Sequence, residues 1–129
     1  MMSQSDKELL EMAAKAVGHA IADWVQTYSG VRPNLRDPLE PGRWTWSPLD
    51  DDGDALRLAV KLDIDLSFYT DKESKVYAQT KHLLGYGTDG YASYQAHEYH
   101  KELYEGSDPY AATRRAIVRA AAAIGDAMA

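Results

Sequence analysis

The sequence predicts an α+β fold: a small antiparallel sheet flanked by helices, in a single domain spanning 1–129. Three observations carry that class. Ser5 and Glu8 form an S-x-x-E capping box ahead of Leu9, Leu10, Ala13, Ala14 and Val17, which recur at helical spacing. IDLSFYT (64–70) alternates apolar and polar residues, and KVYAQTK (75–81) pairs back across the turn DKES, as a hairpin does. Near the other end, Asp108 and Pro109 cap and open an alanine-rich periodic run to Met128.

Taken in order, the first helix meets Gly18, which suits a C-terminal stop. Ile21, Trp24 and Tyr28 nevertheless continue the 3.6-residue period, so HAIADWVQTY (19–28) is expected to extend the helix, a strand being the alternative. Residues 29–43, with three prolines and two glycines, read as a surface loop, and WTW (44–46) as a short extended piece. The second helix starts within SPLDDDGDALRLAVKL (47–62). Its first-turn acids complement the helix dipole, and Ala55, Leu56, Ala59, Val60 and Leu62 supply the expected apolar stripe. In 82–106, Gly85, Gly87 and Gly90 suggest a hairpin tip and Tyr91 to Tyr99 a third strand. In the last helix, Ile117, Val118, Ala121 and Ile124 form the expected buried face, with Gly125 near an end that it is expected to fray.

Composition narrows the function classes. A hydrophobic share of 45% belongs to a globular chain rather than a disordered one. The absence of cysteine removes disulfides, thiolate zinc sites and cysteine nucleophiles together. No basic region precedes an apolar run at the start, and no stretch approaches the roughly 20 apolar residues of a membrane span, so a soluble cytoplasmic protein is expected. A net charge of −6 argues against nonspecific nucleic-acid binding, which neutralises phosphates with Lys and Arg. Nine Tyr and three Trp stand against one Phe. Such amphipathic rings suit surfaces with one apolar and one wet side, as at binding sites, and equally the cap of a small core.

Four constellations invite a chemical reading. His97-Glu98-Tyr99-His100 approaches the zinc motif HExxH, but its second His falls at i+3. On a helix the two would share a face and need a third ligand, such as His82 or Glu102. On a strand they point to opposite sides. A solvated polar surface is the expectation, with no metal and no cofactor. DDDGD (50–54) misses an EF-hand loop, because Ala55 stands where Gly is required and Lys61 where Glu is. Helix capping explains it. Arg114, Arg115 and Arg119 form a compact basic cluster that either receives an anion or pairs with Asp51, Asp52 or Asp54. GYGTDGY lacks the Lys and the following helix of a phosphate loop, and no nucleophile elbow occurs. Tyr86, Tyr91, Tyr94 and Tyr99 beside it suit stacking on a nucleobase or anchoring a protein.

The blocks DKELLEMAAKAVG, WSPLDDDGDALRLAVKL and DPYAATRRAIVRAAAAIG, in that order, resemble a family of small uncharacterised proteins of tailed bacteriophages and prophages. The resemblance covers somewhat over a third of the chain. It implies an α-β-α sandwich and a phage origin, and it brings no activity with it. It also implies a strand after the first helix, in competition with the helical extension. The acidic and arginine blocks occur together in that pattern, which implies an internal salt-bridge network. The tyrosine-rich region from Tyr86 to Tyr104 lies outside it.

The resulting expectation is a non-enzymatic phage accessory protein in the cytoplasm of an infected or lysogenic bacterium. It would bind a host or defence protein through Tyr91, Tyr94, Tyr99 and Tyr104, without catalytic residues. A homo-oligomer is compatible with the sequence. The alternative is a small-molecule or nucleotide binder that uses Arg114, Arg115 and Arg119 with the tyrosines.

Overall fold

The computed structural model describes residues 5–36, 43–69, 75–80, 94–99 and 109–128. The elements run α1 (Asp6–Val17), β1 (Ile21–Thr27), β2 (Gly30–Arg36), β3 (Arg43–Thr45), α2 (Asp52–Lys61), β4 (Ile64–Tyr69), β5 (Lys75–Thr80), β6 (Tyr94–Tyr99) and α3 (Pro109–Ala127). The fold is α+β with antiparallel pairing throughout, and the strands divide into two three-stranded sheets, β1-β2-β3 and β4-β5-β6. The hairpin β4–β5 pairs Ile64 with Thr80 through Tyr69 with Lys75, and β6 joins it on the far side of β5. No helix among the described residues is long and apolar enough to cross a membrane.

Helix α1 begins as its capping box requires: the Ser5 hydroxyl accepts from the Glu8 backbone N–H at 3.1 Å. It does not run on to Tyr28. Gly18 takes a left-handed conformation (φ 80°), its N–H turning back to the Ala14 and Lys15 carbonyls, and the chain leaves as β1. Glycine adopts that conformation without the steric cost other residues meet. The misleading period has a structural origin. Ile21 pairs with Leu35 and Trp24 with Pro33, with a register shift between Ile21 and Asp23. Cross-strand partners share a face, so this bulge brings Ile21 and Trp24 to one side although they are three residues apart. Both pack against the core. A bulged strand thereby acquires a helical spacing.

The expected loop at 29–43 is corrected over 30–36 to β2, the middle strand of its sheet. Proline is unusual there because it cannot donate to a ladder. The pairing with β3 covers Arg36, Leu35 and Asn34 and stops one residue short of Pro33. The Pro33 carbonyl still accepts from the Trp46 N–H at 2.9 Å. The missing donor thus falls where β3 has already ended. On the other face of this sheet Asn34 donates to Asp23 and accepts from Thr45, a polar line with one residue from each strand.

Helix α2 is capped by Asp51, whose carboxylate accepts from the Asp54 N–H at 2.8 Å. Its buried stripe is Ala55, Leu58, Ala59 and Leu62; Leu56 and Val60, expected inside, are 61% and 72% exposed. Helix α3 is the central piece. It packs along α1, touches α2 and lies across β5 and β6. Its buried positions include Ala112, Ala116, Ile117, Val118, Ala121, Ala122 and Ile124. At 100° per residue these go right round the axis, as they do for a helix enclosed on all sides. Gly125 does not fray the helix. A Cβ built there would lie 1.9 Å from the Met12 carbonyl oxygen, so the glycine is what lets α1 and α3 meet at this point.

Candidate functional site

Every carboxylate of DDDGD has a structural partner. Asp50 takes a bidentate pair from the Arg32 guanidinium, at 2.7 Å from Nε and 3.3 Å from Nη2, and accepts from the Ser47 hydroxyl. Asp51 caps α2. Asp52 meets Arg114 Nη1 at 2.6 Å, and Asp54 accepts from the Ser47 N–H at 3.0 Å and from Arg57 at 2.7 Å. The run is a clamp between the turn before α2, β2 and α3. Its geometry is that of capping and ion pairing, not of a calcium loop.

Arg32 is the clamp's buried centre, 2% exposed and the only buried charged side chain among the described residues. Besides Asp50 it donates to the Val31 and Ser29 carbonyls, and it lies 3.8 Å from Asp6 of α1. Asp6 is shared with Arg115 of α3, at 3.0 Å. Burial pushes the Asp50 carboxyl up, but hydrogen bonds from Arg32 and Ser47 and the Arg32 charge outweigh it and hold it below its ordinary value.

Of the arginine cluster, then, Arg114 pairs with Asp52 and also donates to the Leu49 carbonyl at 2.9 Å, while Arg115 is turned to α1 instead of α2. Arg119 also has an interaction partner. An anion at Arg114 or Arg115 would have to displace a carboxylate.

Tyr94 and Tyr99 begin and end β6, opposite Thr80 and Lys75 of β5. Tyr91 and Tyr104 lie outside the described residues, as do Tyr86, His82, His100 and Glu102. His97 and Glu98 lie in the same strand, opposite Tyr77 and Val76, so the helical face that the near-HExxH spacing needs is not formed over 94–99. Among the described residues no group of three His, Asp or Glu is placed to hold a metal ion.

A feature the sequence reading passed over is a cleft of about 320 Å³ between the end of α1, strand β3 and α2. Val17, His19, Trp44, Trp46, Asp54, Arg57, Leu58 and Lys61 line it. Trp44 and Trp46 are two apart in extended chain, so W-T-W sends both indoles the same way. That alternation was the visible signal. Trp46 is buried and Trp44 is 43% exposed. The His19 ring meets Trp46 edge-on, centroids 5.1 Å apart. Burial pulls the imidazole below its ordinary value, the Lys61 charge pulls the same way, and Asp54 opposes them. Nothing local in the sequence joins His19 to Trp46 or Lys61.

No family model, curated protein or solved structure matches this chain.

Proposed function

We propose that this chain is a small non-enzymatic binding protein of phage origin that engages a bacterial host or defence protein in the cytoplasm of the infected or lysogenic cell. The observation that carries the reading is the place of the tyrosine-rich segment. Strand β6 is paired with β5 on one side and, among the described residues, with nothing on the other, and Tyr94 and Tyr99 stand at its two ends. An outer strand offers a row of backbone donors and acceptors to an extended segment of a partner, and tyrosines are frequent anchors of such contacts. Tyr91 and Tyr104 flank it in sequence. The phage origin rests on the resemblance of three sequence blocks. The non-enzymatic reading rests on the lack of a catalytic motif in the sequence and on the employment of Asp50, Asp51, Asp52, Asp54, Arg32, Arg114 and Arg115 in caps and ion pairs.

Anion capture by Arg114, Arg115 and Arg119 has less support, because the carboxylates of Asp52 and Asp6 already hold the first two.

The test is affinity capture from host lysate with the full chain and with a variant carrying Tyr91→Ala, Tyr94→Ala, Tyr99→Ala and Tyr104→Ala. The expected result is one host protein enriched by the parent and lost by the variant, with the variant's melting temperature maintained. Equal capture by both overturns the tyrosine assignment, and an eluate without an enriched host protein overturns the function.

A further inference from the structure

We propose that the cleft between β3 and α2 binds a small planar ring carrying an anionic group, stacked on Trp44 and held by Lys61 and Arg57. This site is separate from β6 and does not depend on the reading above.

Three features of the lining select that chemistry. The first is charge. Among the described residues Lys61 has no ion-pair partner, while the exposed Arg57 uses Nη2 both for Asp54 at 2.7 Å and for Asp51, outside the lining, at 4.0 Å. With Asp54 the sole carboxylate, the lining is positive by one charge in a protein of net charge −6. The second is the aromatic wall. A half-exposed indole is a stacking platform for a planar ring, and Trp46 with the edge-on His19 closes the floor behind it. His19 is held mainly neutral at pH 7, so its ring is available as a hydrogen-bond partner without adding charge. The third is size. A volume of about 320 Å³ lies at the small end of ligand sites, room for one ring system and one charged group but not for a dinucleotide.

Two ligand sources share this chemistry: nucleoside monophosphates and aromatic carboxylates. Calorimetric titration of the full chain with adenosine monophosphate and with indole-3-acetate distinguishes them, with adenosine and inorganic phosphate as the separated halves. Saturable binding of at least one of the two anionic rings is expected, with each half about tenfold weaker or worse. Lys61→Gln and Trp44→Ala should each weaken it by roughly tenfold, because both residues sit at the surface and their loss removes a charged contact or a stacking face. Unchanged melting temperatures of the two variants would assign the loss to the site and not to the fold. The proposal is overturned if neither anionic ring binds up to millimolar concentration, if adenosine binds as tightly as its monophosphate, or if both variants bind like the parent.

Discussion

Arg32 and Asp50 illustrate how unequal the two ends of an ion pair are. Arg32 is enclosed by β2 and the turns on either side, while the Asp50 side chain keeps 30% of its surface in water. Removing the arginine leaves a carboxylate that water can reach. Removing the carboxylate leaves a buried guanidinium with only the more distant Asp6 to answer it. Asp50→Asn is therefore expected to cost about 3 kcal/mol in denaturant unfolding, and Arg32→Met clearly less. The pH dependence follows from the depressed Asp50 carboxyl. The unfolded chain takes up the proton first as pH falls, so the pair's contribution is fully present above about pH 4 and is lost as pH drops through the folded value. Melting temperatures between about pH 5 and pH 3 should fall less steeply for Asp50→Asn than for the parent. None of this is visible in VRPNLR. An arginine beside a proline reads as loop, and its partners lie 18 and 26 residues away in the chain.

At the scale of elements, the readings that held were those whose signal is local and whose geometry is regular. The capping box of α1, the proline start of α3 and the strand β4 needed nothing from the rest of the chain, although Phe68, on the apolar side of the β4 alternation, is 56% exposed. The two misreadings in 19–43 share one cause. A bulge in β1 converted a two-residue alternation into a three-residue step, and Pro33 disguised a central strand as a turn. In both, tertiary pairing supplies what local propensity denies. Helix α2 shows a subtler case, in which the apolar residues Leu56 and Val60 fit a stripe but α3 and β4 approach from the side of Leu58. Gly125 yields a prediction that runs against helix propensity. Alanine there would gain about 1 kcal/mol as a helix former. Its Cβ would meet the Met12 backbone, however, and overpacking of this kind costs about 1–3 kcal/mol or more. Gly125→Ala is expected to lower stability in chemical denaturation, whereas Asp126→Ala, on the exposed side, should leave it nearly unchanged.

The whole molecule is organised around one helix. Sheet β4-β5-β6, α1 and α2 all rest on α3, and the first sheet reaches the core through α1 and the Arg32 clamp. The α+β class and the antiparallel hairpin were legible because they depend on pattern; the split into two sheets was not, because it depends on which strands meet across long separations. The cleft was illegible for the same reason, its lining coming from three elements. A chain ending before Pro109 should lose cooperative unfolding altogether, with dispersed amide resonances collapsing in its NMR spectrum, since the common partner of α1, α2 and the second sheet is gone.

The position of α3 in the chain also bears on synthesis. Of the described elements, Pro109–Ala127 is the last to leave the ribosome. Until it emerges, α1, α2 and the sheet β4-β5-β6 lack the helix against which each of them packs. An early segment can pair its strands before α3 is made, but the shared core closes only with that helix in place. The last of the described elements to be made is thus the one on which α1, α2 and the second sheet all close.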